Sequence, residues 1–217
     1  LPDTYMIHTF TTGGMTLRWF RDKFCSNEMA VEALGGGDAY DAMSKEVAEV
    51  APGCDGLVML PHLSGSLAPD VNANAKGVWF GFSLNHTKAH FARAIMESLA
   101  FILRRNLSAL KDMGITVKEV RSLGGGSKSK VWNQIKADAN DITLVTVKSK
   151  EAACLGAAIL AGTATGVFKS VEDAVANMIQ VKDEYHAQPE QKPVYDKNYE
   201  MYCKLFKDLE CFDENAK

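Results

Sequence analysis

The sequence predicts an α/β domain in which helices pack against a mixed β-sheet, and three observations indicate this class. Segments with strand-like and helix-like patterns of apolar residues alternate along the chain. After residue 114 the connections from strand to helix are short, as they are in layered α/β proteins. One of these connections contains three consecutive glycines, Gly124 to Gly126, which leave the backbone of the turn open to contact.

The first half of the chain contains three predicted strands and three predicted helices. The strands are rich in β-branched, aromatic or aliphatic residues, and the helices have an apolar face. Asp38 and Thr87 are expected N-caps, because their side chains can accept a hydrogen bond from the first helical turn. Gly114 is expected to end the longest helix. The strands are expected at 5–10, 57–60 and 77–82, and the helices at 15–24, 38–50 and 87–113, with a long loop at 61–74.

The second half continues the alternation of strands and helices. The helix at 151–162 consists largely of alanine and glycine, so its surface is nearly flat. The last helix carries several aromatic residues at a spacing that is typical of core packing. The strands are expected at 117–123 and 142–147, and the helices at 129–140, 151–163, 171–180 and from 193 onward, with a linker at 187–193.

Composition excludes several classes of function. The chain has 217 residues, a net charge of −3 and no basic region, so we expect no nucleic-acid partner. It has no apolar run long enough to span a bilayer and no segment with signal-peptide layout, so we expect no membrane partner. The five cysteines are scattered without a C-x-x-C pair, which favours free thiols and a cytoplasmic location. The histidines have no recognisable metal spacing, and we predict no metal ligands in this chain.

The triple glycine suits a bound phosphate or nucleotide, because its amides lie in front of a helix N-terminus. A P-loop is excluded, since Lys128 does not follow a glycine. A dinucleotide fingerprint matches weakly, since Ser129 occupies the position of its third glycine and no acidic residue follows the next strand. The adenosine turn of the actin, sugar-kinase and heat-shock ATPase fold fits better, with the flat helix at 151–162 one strand later. Close packing of that helix without a ligand remains the alternative.

Four ordered segments carry a resemblance to a known family. They are GLVMLPHLSG at 56–65, GVWFGFSLNHTKAHFARAIMES at 77–98, LGGGSKSKVWNQIKAD at 123–138 and EAACLGAAILAG at 151–162. Together with TTGGMTLRWFRDKF at 11–24, they resemble the carboxy-terminal domain of the FGGY carbohydrate kinases, and most closely the xylulokinases. Phe82 departs from the family signature, where a smaller aliphatic residue is usual. The resemblance covers nearly the whole chain and implies an actin-like, ribonuclease H-like fold.

The resemblance also implies which of two domains binds the sugar and which binds the nucleotide. In this family an amino-terminal domain carries most sugar contacts and the catalytic Asp, and the carboxy-terminal domain carries most of the nucleotide pocket. Residues 1–217 match only the carboxy-terminal domain, and the chain lacks an initiator Met. We therefore expect a longer protein, with the general-base Asp upstream of Leu1 and no catalytic residue in this chain. The implied cofactors are ATP and Mg²⁺.

The family's nucleotide contacts transfer to six positions of this sequence. Gly125 aligns with a residue whose backbone meets the nucleotide, and Gly124 and Gly126 are expected to shape the same turn. Ser129 aligns with a position near the purine that is often Asn in glycerol kinases. Two further candidates lie near the start of the chain: Gly14, on the phosphate side, and Arg18, either a phosphate contact or a solvated helix charge.

The expected reaction is ATP-dependent phosphorylation of a sugar hydroxyl, with a ketopentose such as D-xylulose as the acceptor. Xylulokinase-like relatives often have Glu-Arg-Thr where this chain has Ser66-Leu67-Ala68, so glycerol, gluconate and ribulose stay open as alternatives. A non-catalytic actin-like ATP-binding scaffold is a second hypothesis, and a dinucleotide-binding oxidoreductase is a third. We expect the isolated chain to bind ATP weakly and to be inactive, and its own amino-terminal domain to be a partner. The sequence leaves open whether a homodimer forms.

Overall fold

A computed structural model describes residues 13–149 and 151–213 of the chain. The predicted strand at 5–10 lies outside these residues. Helices and strands alternate as expected, and short 3₁₀ turns occur at Cys54–Gly56, Gly125–Lys128 and Pro189–Gln191. The helices are α1 (Gly13–Phe24), α2 (Ser26–Ala33), α3 (Ala39–Ala48), α4 (Lys88–Asp112), α5 (Lys130–Asn140), α6 (Ala152–Ala164), α7 (Val171–Met178), α8 (Lys192–Asp208) and α9 (Glu210–Asp213). The strands are β1 (Val58–Pro61), β2 (Gly77–Phe80), β3 (Glu119–Ser122), β4 (Thr143–Val147) and β5 (Val181–Tyr185).

The described strands form two sheets. β1 and β2 pair as an antiparallel hairpin, with Met59 opposite Trp79. β3, β4 and β5 form a three-stranded sheet in that order. β3 runs parallel to β4, whereas β5 runs antiparallel to it. The second sheet is therefore mixed and flanked by helices, which confirms the predicted fold class.

Helix α4 lies at the centre of the core and positions the elements around it. Its middle is fully buried, with Ile95, Met96 and Ala100 at 0% exposure, and it packs on α5, β1, α1 and α3. Thr87 is the N-cap, as predicted, and its backbone N–H donates to Nδ1 of His90 at 3.2 Å. Burial of this apolar face holds α1, α3 and α5 against the helix.

A buried ion pair ties α4 to α3 and α8. Arg93 donates through Nε to Glu97 at 2.8 Å, through Nη1 to the carbonyl of Val50 at 2.8 Å, and through Nη2 to the Tyr195 hydroxyl at 3.0 Å. The backbone N–H of Gly53 donates to Glu97 at 3.0 Å. Both charged side chains are buried, so each depends on these partners.

Helix α2 and strand β5 were not predicted, and both lack a strong apolar pattern. Helix α2 buries no residue and follows α1 directly after Cys25, so it carries no distinct amphipathic signal. Strand β5, with the sequence VKDEY, has three charged residues in five and lies at the edge of the sheet. Strand β2 ends two residues earlier than predicted, because Gly81 has a φ of +87°. Among the described residues, no helix is both long and apolar enough to cross a bilayer.

Candidate functional site

A cavity of about 230 Å³ opens between α1, α3, α4 and the glycine-rich turn that precedes α5. Leu17, Met96 and Trp132 give it an apolar wall, and the Nε1–H of Trp132 donates to the carbonyl of Met96 at 3.1 Å. The wall is therefore rigid and suits a flat, apolar ring face. The full lining consists of Gly14, Leu17, Asp38, Tyr40, Asp41, Ser44, Met96, Gly125, Gly126, Lys128, Ser129 and Trp132.

The three glycines of the turn serve three different physical needs. Gly124 has φ +77° and ψ −165°, a conformation that is essentially restricted to glycine. Gly125 lines the cavity, and a Cβ added there would meet no atom within 4 Å, so its backbone faces open space. Gly126 packs on Trp132, and a Cβ there would lie 2.7 Å from Cζ3 of the ring. The shape of the turn therefore requires glycine at 124 and 126, whereas Gly125 leaves its backbone open to the cavity.

Ser129 connects the turn to two helices. It is the N-cap of α5, and its Oγ accepts from the backbone N–H of Trp132 at 3.3 Å. The same Oγ lies 3.1 Å from Oγ of Ser44 on α3. This hydroxyl pair holds α3 and α5 at a fixed separation, with both hydroxyls at the cavity lining.

Helix α3 supplies another part of the cavity lining. Asp38 is its N-cap, as predicted, and accepts from the backbone N–H of Tyr40 at 2.7 Å. The guanidinium of Arg21 lies 4.6 Å from the centroid of the Tyr40 ring. Burial raises the pKa of the Tyr40 hydroxyl. A second, more open cleft of about 860 Å³ adjoins the cavity and shares with it Asp38, Asp41, Ser44, Lys128 and Ser129.

The combined space is large enough for a small organic ligand. Ligand pockets usually have volumes of roughly 300–1,000 Å³, so the cavity and the adjoining cleft together have room for a nucleotide. The cleft is lined by three lysines and three carboxylates, namely Lys45, Lys128, Lys130, Glu28, Asp38 and Asp41. Among residues 13–149 and 151–213, no group of three or more His, Cys, Asp or Glu side chains could hold a metal ion.

The structure brings together four of the six residues named from the sequence: Gly14, Gly125, Gly126 and Ser129 all line the cavity. Gly124 shapes the turn without lining the cavity. Arg18 lies outside the lining, with its side chain 70% exposed and 3.6 Å from the Asp22 carboxylate. No residue of α6 lines the cavity or the cleft, and this helix packs on α7.

Sequence reasoning missed the side chains that α3 contributes. Asp38 was identified as a cap, yet nothing in the local pattern indicated that Tyr40, Asp41 and Ser44 would face a turn some 85 residues later. Trp132 carried a usable signal, because an aromatic residue three positions into a helix can pack back on the preceding turn.

A glycine-rich turn that leads into a helix N-terminus is an arrangement that can bind an anion. The sequence profile described as "FGGY family of carbohydrate kinases, C-terminal domain" matches residues 2–165. The chain belongs to the FGGY family of carbohydrate kinases, and its fold is the actin-like, ribonuclease H-like fold of that family.

Individual relatives agree with this assignment. A xylulose kinase of Staphylococcus epidermidis is 33% identical over 95% of this chain and 40% of its own length. A gluconokinase of Bacillus licheniformis is 36% identical over 91% of this chain and 39% of its own length. The crystal structure of xylulose kinase from Rhodospirillum rubrum superposes with a TM-score of 0.81, at 27% identity, over 95% of this chain and 40% of that one. The chain thus spans about 40% of the length of the relatives it matches.

Proposed function

We propose that residues 1–217 form the carboxy-terminal, nucleotide-binding domain of a two-domain sugar kinase, which transfers a phosphoryl group from ATP to a sugar hydroxyl. The observation that carries this proposal is the cavity itself: Gly14, Gly125, Gly126 and Ser129 were named from the sequence as nucleotide contacts, and all four line it. Gly14 precedes the other three by more than a hundred residues in the sequence, so the fold brings them together. Family membership supports the same reaction class.

In this proposal the adenosine of ATP lies in the cavity. Its base packs on the apolar wall of Leu17, Met96 and Trp132, and the open backbone at Gly125 allows the ligand to approach the main chain. The Ser129 and Ser44 hydroxyls can each donate and accept a hydrogen bond, which suits the mixed donors and acceptors of a purine edge. The lysines of the adjoining cleft stabilise the negative charge of the nucleotide.

The chemical step requires groups that this chain does not supply on its own. We propose that the general base that takes the proton of the sugar hydroxyl belongs to the amino-terminal domain. Phosphoryl transfer depends mainly on positioning and charge stabilisation, and this domain contributes by fixing the donor. A Mg²⁺ ion would neutralise charge on the phosphates, but the described residues offer no ligand cluster for it. Closure of the two domains would exclude water from the cleft.

The names of the relatives support a sugar or sugar acid as the acceptor. Xylulose kinases and gluconokinases match this chain at similar identity, so the nucleotide-binding domain alone does not separate the two substrates. We propose a ketopentose such as D-xylulose, with gluconate, glycerol and ribulose as the alternatives, and a cytoplasmic location. A homodimer stays an open prediction. A non-catalytic ATP-binding scaffold is the second candidate function.

Two measurements test the proposal. Calorimetric titration of this chain with ATP should show one weak site, and the chain should not phosphorylate any sugar. The polypeptide that joins this chain to its expected amino-terminal domain should consume ATP with D-xylulose faster than with gluconate, glycerol or ribulose. Turnover by residues 1–217 alone would contradict the division between domains. ATP binding without turnover of any sugar in the longer protein would favour the scaffold.

A further inference from the structure

Asp41 lies where the cavity and the adjoining cleft meet, because it lines both of them. It belongs to the first turn of α3 and is exposed. Ser44 follows it by three residues and also lines both spaces, so the two side chains lie on one face of the helix. The helix therefore presents a carboxylate, which can only accept hydrogen bonds, beside a hydroxyl at the junction of the two spaces.

The carboxylates of the combined lining differ in how they are engaged. Glu28 pairs with Lys88, and Asp38 accepts from the backbone N–H of Tyr40 at 2.7 Å. The side chain of Asp41, by contrast, has no hydrogen bond or ion pair with any residue that the structure describes. It can therefore accept hydrogen bonds from a ligand without breaking a bond within the protein.

The lysines of the lining do not neutralise Asp41. Lys45 follows it by one helical turn and Lys128 lies in the glycine-rich turn, yet neither forms an ion pair with its carboxylate in the described part of the chain. These ammonium groups are available to phosphates, whereas a free carboxylate repels phosphates. Asp41 therefore suits an uncharged part of a ligand that donates hydrogen bonds.

The order of the parts of a nucleotide matches the order of the two spaces. In the proposed function the base packs on the apolar wall of the cavity around Trp132, and the phosphates lie near the lysines of the cleft. The ribose joins the base to the phosphates, so it lies beside the residues that line both spaces. Those residues are Asp38, Asp41, Ser44, Lys128 and Ser129.

The ribose offers the donors that a free carboxylate can accept. Its 2′ and 3′ hydroxyls are neighbouring, uncharged O–H donors, and a carboxylate accepts through two oxygens. An acidic side chain that accepts from a ribose hydroxyl also occurs in dinucleotide-binding folds. The hydroxyls of Ser44 and Ser129 lie 3.1 Å apart and already share one hydrogen bond, so Asp41 has the greater free capacity at the junction.

We propose that Asp41 is a specificity-determining residue for the sugar of the nucleotide: its carboxylate accepts hydrogen bonds from the 2′ and 3′ hydroxyls and so favours ribonucleotides over deoxyribonucleotides. This inference rests on the proposed nucleotide site. It concerns binding alone, and no covalent bond forms or breaks. A carboxylate in the first turn of a helix also interacts favourably with the helix dipole, but that interaction does not distinguish one sugar from another.

The test compares ATP with 2′-deoxy-ATP, 3′-deoxy-ATP and GTP in calorimetric titrations of this chain, with EDTA present to remove divalent cations. The readout is the ratio of affinities, because removal of a negative charge alters the attraction for the phosphates of all four nucleotides alike. The wild type should bind ATP about tenfold more tightly than either deoxynucleotide, since a hydrogen bond to a charged group contributes about this factor.

Two substitutions of Asp41 and one control locate the source of this preference. Asp41→Ala should bind ATP and both deoxynucleotides about equally. Asp41→Asn, whose amide oxygen still accepts, should keep a smaller preference of about threefold. Asp112→Ala serves as the matched control, since Asp112 is an exposed helical residue outside the cavity and the cleft, and it should keep the full preference of the wild type.

Each contrary result shows which claim fails. Equal affinity of the wild type for ATP and both deoxynucleotides would overturn the inference and leave the proposed function standing. If Asp41→Ala weakens all the nucleotides by one factor and keeps the preference, Asp41 acts through helix α3 and not through the sugar. A preference between ATP and GTP that changes in Asp41→Ala, while the preference for ribose does not, would assign the carboxylate to the base and also overturn the inference. If no nucleotide binds, the proposed function fails and the inference fails with it.

Discussion

Gly126 lies so close to the indole of Trp132 that a Cβ at position 126 would stand 2.7 Å from Cζ3 of the ring. Trp132 cannot easily move away, because its Nε1–H donates to the carbonyl of Met96 and its side chain is 6% exposed. A Cβ added to the adjacent Gly125 would meet no atom within 4 Å. Neighbouring glycines of one turn are therefore required for opposite reasons: one for packing within the protein, the other for access by a ligand.

This contrast predicts different stabilities for two alanine variants. Gly126→Ala should lower the free energy of unfolding by about 1–3 kcal/mol, because overpacking forces the ring or the turn to shift. Gly125→Ala should change it by less than about 0.5 kcal/mol, as expected for a substitution with no steric conflict. Urea denaturation followed by tryptophan fluorescence measures both. Equal losses in the two variants would contradict the distinction between packing and access.

For ATP binding, we expect substitution of Gly125 to have the larger effect. Gly125→Val places a branched side chain in the cavity, so we expect it to abolish measurable ATP binding while the melting temperature stays within a few degrees of the wild type. Titration calorimetry with ATP, together with circular dichroism for the fold, checks this. Unchanged ATP affinity in Gly125→Val would show that the nucleotide does not use this cavity.

Local signals in the sequence were sufficient for much of the fold. Thr87 and Asp38 were identified as N-caps because capping depends on residues within one helical turn. The turn itself was predicted because three glycines in a row are unsuited to the interior of a helix or strand. Such features are encoded by a few neighbouring residues, and the structure has the caps and the turn where they were expected.

Contacts between distant segments could not be predicted in the same way. The Ser44–Ser129 hydroxyl pair joins residues 85 positions apart, and neither serine has a pattern that indicates the other. β5 was missed because its polar sequence pairs at a sheet edge, where burial does not impose an alternating pattern. The flat helix α6 was associated with the adenine from composition, but the described cavity is closed by α3. Composition shows that a surface permits close approach, and it does not specify the neighbour.

Removing one partner of the buried Arg93–Glu97 pair should destabilise the fold strongly. Glu97→Gln leaves the guanidinium buried without its counter-charge, and breaking such a pair typically costs about 3–5 kcal/mol. Arg18→Gln, which removes an exposed pair on α1, is the control and should cost less than about 1 kcal/mol. Chemical denaturation of both variants tests this. If the Glu97 variant were as stable as the Arg18 variant, the network would not hold α3 and α8 to α4.

Lys136 should make the stability of the free protein depend on pH. Because its pKa is lowered in the folded state, the unfolded chain binds more protons between about pH 8 and pH 10.5, and stability rises with pH in this window. Below pH 8 the penalty is present in full and is on the order of 3 kcal/mol. Lys136→Met should therefore stabilise the free protein at pH 7 and much less at pH 10.5, measured as unfolding free energies at both values. A gain that does not vary with pH would indicate better packing and not the removal of a buried charge.

Ser129 has two roles that substitution can separate. Ser129→Ala removes the N-cap of α5 and should cost about 1 kcal/mol, whereas Ser129→Asn should restore the cap, since Asn is among the best N-cap residues. Ser44→Ala leaves the cap intact and removes only the 3.1 Å hydroxyl contact, so it should cost no more than about 0.5–1 kcal/mol. Urea denaturation of the three variants measures the capping effect, and ATP titration measures the effect on the site.

If both hydroxyls contact the base, Ser44→Ala should weaken ATP binding although it leaves stability nearly unchanged. Ser129→Asn should then retain binding, because an amide can also donate and accept at the purine edge. Loss of ATP affinity that follows the loss of stability across all three variants would contradict a direct contact. In that case the two serines would only hold α3 beside α5. They would maintain the shape of the cavity but would not contact the base.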